Sequence, residues 1–427
     1  MTAPEAVATT TVAGDGDGVT RQQWKWSVLA GMASYLDAGA IVALGSGLVL
    51  FQSTFNLGSG AVGVLAAIGP NAIGCALGAF VGGRLGDQLG RKRIYKYDLL
   101  VYALGVLCIA LAVNAPMLFI GTFVVGVAVG ADVPTSLALV GEFSPSKHRG
   151  KLLSLTQIAW NAGPVVVLLL ALALSGLDLL GIRIVFLHLV VVALVTWALR
   201  RGLAESARWR TATAGAAARL GDLFRGANLR ALVWTATIYV FWALAAGTAG
   251  LFTPYIVQTL HAGGQVEGVA LSCAGFVIGI LATIPFMRYI DRSYRTRRVL
   301  WGTGSIMQIA SYAVFLFVPF SVPVIIVNIV LWGVGSAIAG EAVYKIFSQE
   351  LFPTLLRGTA QGFTFGVART VLGVWSFFVP RLADAGIGTI AGLLVVSLAI
   401  SGVVGFFFMP NTSGKSLEQI QAERAAA

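Results

Sequence analysis

Long apolar stretches dominate the chain and are separated by short polar segments. Each stretch comes close to the roughly 20 residues that a helix needs to cross a bilayer. The pattern predicts twelve membrane-spanning helices, numbered here in chain order as spans 1 to 12: 27–51, 60–82, 97–113, 115–140, 152–176, 180–199, 231–257, 268–288, 299–318, 322–348, 359–381 and 388–409.

The longest polar connection, residues 201–230, follows span 6 and divides the predicted helices into two sets of six. We therefore expect an N-terminal six-helix bundle at 23–200 and a C-terminal bundle at 231–410, with a cytoplasmic loop between them. Residues 1–22 are predicted to be a disordered tail, because their Ala, Thr, Gly and Asp content offers little apolar surface to bury. Residues 411–427 form the second predicted tail.

The composition agrees with a chain surrounded by lipid. Apolar residues make up 57% of the sequence and charged residues only 11%, whereas about 25% is usual in soluble proteins. A soluble chain with so few charges could not cover its surface. The sequence therefore predicts an all-α, multi-pass protein of the cell membrane. All three cysteines lie in apolar stretches, which argues against a disulfide framework.

The net charge of +11 comes from basic residues that are unevenly distributed. All but four of the 29 Lys and Arg residues fall in the tails or in the connections after the even-numbered spans. Cytoplasmic connections carry an excess of such residues, so both termini are predicted to be cytoplasmic. The charge is thus explained by topology, and nucleic acid is not expected as a partner.

Two pairs of connections repeat between the halves of the chain. After spans 4 and 10 the shared order is Glu, Pro three residues later, Arg seven residues later, and then Gly. The connection after span 2 runs from Gly83 to Arg93, and the connection after span 8 keeps an aspartate and two arginines of it. The repeated residues are Glu142, Pro145, Arg149 and Gly150 against Glu350, Pro353, Arg357 and Gly358, and Asp87 against Asp291, followed by Arg295 and Arg297.

The motif Gly83-Arg-Leu-Gly-Asp87-Gln-Leu-Gly-Arg91-Lys-Arg93 resembles the signature of the major facilitator superfamily. Asp37-Ala-Gly39, the two Glu/Pro/Arg connections, and residues 205–209 and 410–418 are similar to its sugar porter and metabolite:proton symporter branches. The resemblance covers residues from about 25 to 420. It implies two pseudo-symmetric bundles that move by alternating access, with the substrate bound between them near the middle of the membrane.

Charged residues of the repeated connections are candidates for a conformational latch. Alternating access needs two packings of the halves that differ by a few kcal/mol, and ion pairs at the cytoplasmic rim can stabilise one of them. The resemblance implies that such a latch closes the cytoplasmic side. The alternative is a set of ordinary solvated basic loops. The candidate latch residues are Gly83, Asp87, Arg91, Glu142, Arg149, Asp291, Glu350 and Arg357.

Five charged residues fall inside predicted spans, where an ionised side chain is costly and is therefore a candidate functional group. A desolvated carboxyl group can carry a proton near neutral pH, which makes Asp37, Asp132 and Glu341 candidates for proton coupling. Resemblance to sugar porters assigns that task to the aspartate of span 1. The alternatives are fixed ion pairs, and Glu341 is four residues from Lys345 on one helix face.

Arg369 offers paired donors to an anionic substrate, and its alternative role is to neutralise a membrane carboxylate. Polar and aromatic residues at helical spacing on spans 5, 7 and 11 are predicted to line the substrate cavity. The candidate substrate-binding residues are Arg369, Gln157, Asn161, Tyr239, Trp242, Gln361, Phe365 and Lys345.

Two positions depart from the sugar porter pattern. The arginine usual in span 4 aligns with Thr122, and the glutamine pair usual in span 7 aligns with Ala243 and Leu244. The missing glutamine pair, together with Arg369, favours an anionic or strongly polar metabolite over a simple hexose.

The predicted function is proton-coupled uptake of a small polar metabolite such as a sugar, a sugar acid or another organic acid. A proton-coupled exporter or antiporter, a uniporter and sodium coupling stay open as alternatives. An enzyme is not expected, because three histidines and three cysteines form no nucleophile–base or metal constellation. No metal or cofactor is predicted, and the expected partners are the substrate, protons and the bilayer, with the chain acting as a monomer.

Overall fold

The computed structural model describes residues 18–202, 205–214, 218–252, 265–384 and 386–426, and every regular element in these ranges is helical. The α-helices are α1 (Arg21–Thr54), α2 (Ser59–Ile68), α3 (Ile73–Leu89), α4 (Arg91–Ala110), α5 (Ala115–Phe143), α6 (Arg149–Ala173), α7 (Asp178–Arg200), α8 (Ala207–Thr213), α9 (Gly226–Gly247), α10 (Gln265–Tyr289), α11 (Tyr294–Phe317), α12 (Val322–Ala339), α13 (Glu341–Glu350), α14 (Arg357–Asp384), α15 (Ile387–Phe407) and α16 (Leu417–Ala426).

Eleven helical stretches in the described part of the chain are long and apolar enough to cross a membrane. They correspond to every predicted span except span 3. Span 3 falls in α4, a helix of 20 residues that begins with Arg91, Lys92 and Arg93. Its charged first turns explain why α4 does not meet the same hydropathy criterion.

Spans 2 and 10 are each built from two helices. In span 2, α2 ends before Gly69 and α3 begins at Ile73. In span 10, Gly340 adopts an extended conformation between α12 and α13, with φ −121° and ψ −140°. A side chain at Gly340 would lie 2.3 Å from the Ser336 carbonyl oxygen, so glycine is required there. This break places Glu341 at the first turn of α13.

The polar segments contain more structure than the sequence predicted. Helix α1 already begins at Arg21, where Thr20 and Gln23 form a capping box, so the predicted tail boundary at residue 22 is too late. The predicted loop 201–230 contains α8 and the start of α9, and the predicted tail 411–427 contains α16. Residues 1–17 of the predicted N-terminal tail and 253–257 of span 7 lie outside the described residues.

The outer surface of the helices is apolar. Large side chains such as Ile120, Val191, Ile306 and Phe317 are exposed on it, and Phe317 is 83% exposed. Such a surface is unfavourable in water and suits a lipid environment. The chain is therefore an integral membrane protein.

The packing of the helices leaves a space at the centre of the molecule. Helix α1 packs on α6 and α7, and α5 packs on α3 and α4. In the C-terminal set, α11 packs on α12 and α15, and α9 packs on α14 and α15. The two sets meet where α3 contacts α14 and where α6 contacts α10. Side chains of α1, α6, α9 and α14 therefore face one another across the boundary between the sets.

Candidate functional site

Two adjoining cavities lie between the N-terminal and C-terminal helices, with empty volumes of about 570 and 710 Å³. Trp160 of α6, Trp242 of α9 and Phe276 of α10 line both of them, so we treat them as one central cavity.

Asp37 lies at the middle of α1, next to the cavity-lining residue Ala38. One carboxylate oxygen, Oδ2, accepts hydrogen bonds from Arg369 at 3.1 Å and from Trp160 Nε1 at 3.2 Å. The other oxygen, Oδ1, is buried and has no hydrogen-bond partner among the described residues. The Asp37 carboxyl group thus keeps one free oxygen in a water-poor setting.

Arg369 of α14 reaches across the boundary between the helix sets to neutralise Asp37. Its second terminal nitrogen donates to Asn71 Oδ1 at 2.8 Å, and its guanidinium lies 4.7 Å from the centre of the Phe365 ring. Arg369 also lines the central cavity. The span 4 arginine expected from sugar porters is replaced by Thr122, and the counter-charge of Asp37 comes from the C-terminal set instead.

Glu341 and Lys345 form an ion pair along α13, with 3.5 Å between Lys345 Nζ and Glu341 Oε1. Their four-residue spacing predicted this pairing. Lys345 also donates to Gln157 Oε1 of α6 at 3.1 Å, and the Tyr239 hydroxyl donates to Glu341 Oε1 at 3.4 Å. The Lys345–Gln157 bond is a second polar link between the two helix sets.

Aromatic rings form one wall of the cavity. Tyr239, Trp242 and Trp332 line the cavity, and Tyr344 stacks on Tyr239 behind this wall. In the order Tyr344, Tyr239, Trp242 and Trp332, the ring centroids are separated by 3.9, 5.8 and 6.2 Å. The Nε1 of Trp242 is buried and has no hydrogen-bond partner among the described residues. The wall therefore offers flat apolar surface together with one unused N–H donor.

The predicted amide residues fall into two groups. Gln157 and Asn161 line the cavity, where Asn328 and Ser336 of α12 add further polar atoms. Gln361 does not line it, because its Oε1 accepts from Ser348 Oγ at 3.1 Å and from the Gln349 amide. The helical spacing on α14 predicted a continuous polar stripe, but Gln361 turns toward α13.

Phe365 and Lys345 also stand behind the cavity wall. Neither residue lines the cavity in the described structure. Phe365 is fully buried, with its ring centroid 5.9 Å from that of Tyr239, and the Arg369 guanidinium packs over its ring. Phe365 and Lys345 thus affect the cavity only indirectly, through the cavity-lining side chains that they contact.

Asp132 lies apart from the central cavity. Its carboxylate pairs with Arg200 of α7 at 3.0 Å and accepts a hydrogen bond from the Ser136 hydroxyl. Asp132 is buried within the N-terminal set and is absent from the cavity lining. The structure therefore separates Asp132 from Asp37 and Glu341, with which the sequence grouped it.

Asp87 caps the start of α14. Its carboxylate accepts hydrogen bonds from the backbone N–H groups of Gly358 at 3.1 Å and Thr359 at 2.6 Å. The first N–H groups of a helix have no partner within the helix, and its N-terminus favours negative charge. Asp87, which belongs to the N-terminal set, thus caps a helix of the C-terminal set.

Asp291 repeats this arrangement in the opposite direction. Its carboxylate accepts from the N–H groups of Gly150 at 3.0 Å and Lys151 at 2.8 Å, at the start of α6. Burial raises the pKa of the Asp291 carboxyl group, and the nearby Arg297 opposes that shift. The repeated sequence motif therefore corresponds to a repeated contact between the two sets.

Glu142 joins the two sets through buried ion pairs. Its Oε1 lies 2.9 Å from Arg91 of the same set and 3.2 Å from Arg357 of the other. Arg91 also pairs with Asp87 at 2.7 Å. Because the Arg91, Glu142 and Arg357 side chains are 0% exposed, their charges interact in a medium of low dielectric constant.

Glu350 has the equivalent position in the C-terminal set. It pairs with Arg297 at 2.8 Å and with Arg149 of the N-terminal set at 3.3 Å. Thr412 donates a further hydrogen bond to Glu350 at 2.6 Å. Arg297 was absent from the candidate latch residues, although it is one of the two arginines that the connection after span 8 keeps from the repeated motif.

Gly83 permits the close approach of α3 and α14. A side chain at this position would lie 2.3 Å from the carbonyl oxygen of Gly358. A larger residue would therefore push the two helix sets apart at the point where Asp87 caps α14.

Glu205 was also missing from the candidate residues. Its two carboxylate oxygens accept from the backbone N–H groups of Arg91 at 3.1 Å and Lys92 at 3.0 Å, at the start of α4. Its presence in the quoted motif at 205–209 was the available signal.

An apolar helical exterior, a central cavity between two helix sets and buried polar contacts that join those sets define a membrane transport protein. The family model of the Major Facilitator Superfamily matches residues 27–380. The chain belongs to this family, which the motif at Gly83–Arg93 had indicated, and its members are transporters, not enzymes.

Relatives of known function agree with this family. The minor myo-inositol transporter IolF of Bacillus subtilis (strain 168) is 39% identical over 418 residues, covering 93% of both chains. The glucose transporter GlcP of Staphylococcus epidermidis is 25% identical, covering 92% of this chain and 95% of GlcP. Among solved structures, the proton:xylose symporter XylE bound to 6-bromo-6-deoxy-D-glucose has a TM-score of 0.82 at 18% identity, covering 94% and 98% of the two chains.

Proposed function

We propose that the protein takes up a neutral polyhydroxylated molecule, a sugar or a cyclitol, together with a proton. The observation that carries this proposal is the Asp37–Arg369 ion pair at the wall of the central cavity, which joins the two helix sets. A proton that binds to Asp37 removes one charge of the pair and weakens the link to Arg369. Proton binding is thereby coupled to the movement of the two helix sets.

The proposed topology has twelve spans, with α4 as span 3, and both termini in the cytoplasm. The uneven distribution of Lys and Arg supports this orientation. The helix sets would move as two six-helix bundles, at about 23–200 and 231–410, and the packing of α1 on α6 and α7 and of α9 on α14 and α15 supports this division. All groups of the proposed site come from one chain, so we propose a monomer.

Asp37 is the proposed proton carrier. Its free Oδ1 can accept the proton without first breaking the bonds that Oδ2 makes to Arg369 and Trp160. Glu341 is a secondary carrier, since it contacts Lys345 and the Tyr239 hydroxyl close to the same cavity. Burying an ionised carboxylate costs free energy, and a neighbouring cation offsets that cost only as long as the ion pair is intact.

A neutral substrate fits the charge balance of the cavity better than an anion does. Arg369 is already paired with Asp37, and Lys345 with Glu341, so neither cation lacks a counter-charge. The lining also offers the amide groups of Gln157 and Asn161 and the free N–H of Trp242, which suit hydroxyl groups. The 39% identity to a myo-inositol transporter supports the same substrate class.

The latch residues would hold the cytoplasmic side closed in this conformation. Asp87 and Asp291 each cap a helix of the opposite set, and Glu142 and Glu350 each bind an arginine of the opposite set. All four contacts must break before the sets can separate at that face. Substrate and proton binding would then exchange this closed packing for a cytoplasm-open one.

A ligand screen tests the substrate class. We expect the purified protein to bind neutral polyols such as myo-inositol and hexoses, and to bind sugar acids and aromatic acids at least about tenfold more weakly, because Arg369 and Lys345 are each paired with a carboxylate. Binding is measured by calorimetry or by quenching of the cavity tryptophans. A preference for the acids would contradict the proposal and restore the anionic interpretation of Arg369.

The variant Gln157→Ala sharpens this screen. Loss of one amide that bonds a substrate hydroxyl should weaken polyol binding by about tenfold, equivalent to about 1.4 kcal/mol. Ser397→Ala is the matched control, because the Ser397 hydroxyl is exposed on the outer surface and bonds only the Leu393 carbonyl. Equal affinity in both variants would remove Gln157 from the proposed substrate site.

A further inference from the structure

A second group of buried charges lies within the N-terminal helix set, apart from the central cavity. It consists of Asp98 on α4, Asp132 on α5 and Arg200 at the end of α7. All three are buried, with whole-residue exposures of 6%, 3% and 4%. None of them lines the central cavity, and the proposed transport cycle does not use this group.

Arg200 stands between the two carboxyl groups. Its Nη1 lies 3.0 Å from Asp132 Oδ2 and 3.9 Å from Asp98 Oδ2. The other two nitrogens, Nε and Nη2, donate to the carbonyl oxygen of Leu29 on α1 at 3.1 and 2.9 Å. Each of the three guanidinium nitrogens therefore donates a hydrogen bond, and of the two carboxyl groups only that of Asp132 lies within hydrogen-bonding distance.

The Asp98 carboxyl group is incompletely bonded. Its Oδ1 accepts from the backbone N–H of Leu99 at 2.6 Å, whereas the buried Oδ2 has no hydrogen-bond partner among the described residues. The Asp98 and Asp132 carboxyl groups are neighbours across one nitrogen, because the Oδ2 atoms of both lie within 4 Å of Arg200 Nη1. Asp132 Oδ1 already accepts from the Ser136 hydroxyl. What is missing from this arrangement is a donor between the two carboxyl groups.

The groups that face Asp98 supply one positive charge against two acids. The charged groups are Arg200 of α7 and Asp132 of α5. Around them, Ser136 of α5 donates to Asp132, the Leu29 carbonyl of α1 accepts from Arg200, and the ring centroid of Tyr95 on α4 lies 4.0 Å from the Arg200 guanidinium. Two buried, ionised carboxylates that share a single cation repel each other strongly. Closely paired carboxyl groups relieve that repulsion by sharing one proton.

We infer that Asp98 and Asp132 together bind one proton, at a site separate from Asp37. A hydronium ion of the surrounding solvent gives up the proton and becomes water, and the proton is held on Asp98, whose O–H then donates to Asp132, so that the pair carries one negative charge opposite Arg200. No other bond changes. The inference does not depend on which substrate is transported, because the site is built entirely from residues of the N-terminal helix set.

Arg200 connects the Asp98–Asp132 site to α1, the helix that carries Asp37. Arg200 holds the carbonyl of Leu29, which lies eight residues before Asp37 on α1, a distance of about 12 Å along the helix. The Arg200 contact and Asp37 therefore lie at different levels of α1, whereas Asp98 and Asp132 belong to α4 and α5. The transporter should hold one more proton than a mechanism with Asp37 alone requires.

Infrared spectroscopy of the purified, full-length transporter tests the inference. Isotope-labelled aspartate identifies the stretching band of protonated Asp carboxyl groups, which is followed from acidic to alkaline pH. The wild type should show such a band at neutral pH, and the band should be lost in Asp98→Asn and in Asp132→Asn. Asp37→Asn should retain it, and so should Asp178→Asn, which removes an exposed acid at the start of α7.

The outcomes separate this inference from the proposed function. A band that survives in both pair variants, a band lost only in Asp37→Asn, or no band in the wild type would overturn the shared proton. Loss of the band in the pair variants supports it even if no polyol is transported. If the asparagine variants do not fold, Asp98→Glu keeps the carboxyl pair and should shift the band, whereas an unshifted band would contradict the inference.

Discussion

Replacing Asp37 with Asn should abolish proton-driven accumulation of the substrate while leaving exchange of substrate across the membrane largely intact. The amide keeps an oxygen that can accept hydrogen bonds from Arg369 and Trp160, which Asp37 Oδ2 now does at 3.1 and 3.2 Å. An amide cannot bind and release a proton, however, so the link between proton movement and conformational change is lost. We expect gradient-driven uptake to fall by about 100-fold, equivalent to about 2.7 kcal/mol.

The comparison of two assays distinguishes lost coupling from lost folding. Proteoliposomes report accumulation under an inward proton gradient, and the same vesicles report exchange of labelled against unlabelled substrate without a gradient. Asp178→Asn is the matched control, since it makes the same substitution at an exposed acid of α7. Full accumulation by Asp37→Asn would exclude Asp37 as the proton carrier.

Replacing Glu142 with Gln should shift the protein toward cytoplasm-open conformations. Glu142 binds both Arg91 and Arg357, so its loss leaves two buried cations without their shared carboxylate. Removing one partner of a buried ion pair costs about 3–5 kcal/mol. Because Arg357 belongs to the opposite helix set, part of this cost falls only on the closed packing. We expect the cytoplasm-open population to rise at least about tenfold.

Spin labels on the cytoplasmic face measure that shift. Arg93 of the N-terminal set and Arg292 of the C-terminal set are both exposed, and the distance between labels there reports the separation of the sets. Glu418→Gln is the control, because the Glu418 side chain is 64% exposed and its pair with Arg208 should contribute little. An unchanged distance distribution in Glu142→Gln would refute the latch.

Contacts among the candidate latch residues could be predicted from the sequence because these residues occur twice. Glu142 and Glu350 have the same relation to a following arginine, and Asp87 and Asp291 occupy equivalent connections. A repeated spacing in a duplicated chain indicates a repeated contact, and the structure shows the two helix caps and the two sets of ion pairs. Polar connections that the sequence treated as loops contain helices, since α8 and α16 are too short for a periodic pattern to be recognised.

The partners of the intramembrane charges were harder to predict. Arg369 and Asp37 are separated by 332 residues, and no local pattern indicates that α14 brings them together. The sequence left the role of Arg369 open between a substrate anion and a membrane carboxylate, and the contact with Asp37 identifies its counter-charge. Likewise, Asp132 was grouped with Asp37 as an intramembrane acid, but its partner Arg200 lies at a helix end that looked like an ordinary basic boundary.

The substrate preference follows from those pairings. An unpaired Arg369 would have favoured an anionic metabolite, whereas the paired Arg369 and Lys345 leave the cavity without a free cation among the described residues. What the cavity offers in their place is amide groups and stacked aromatic rings, which complement the hydroxyl groups and C–H faces of a ring-shaped polyol.

Uptake of labelled myo-inositol into proteoliposomes, with and without an inward proton gradient, tests proton-coupled import most directly. The predicted result is accumulation above the external concentration only when the gradient is present, with loss of accumulation on addition of a protonophore. Simultaneous alkalinisation of the external medium should accompany substrate entry. Uptake that is indifferent to the gradient, or a gradient that drives the substrate outward, would contradict the account.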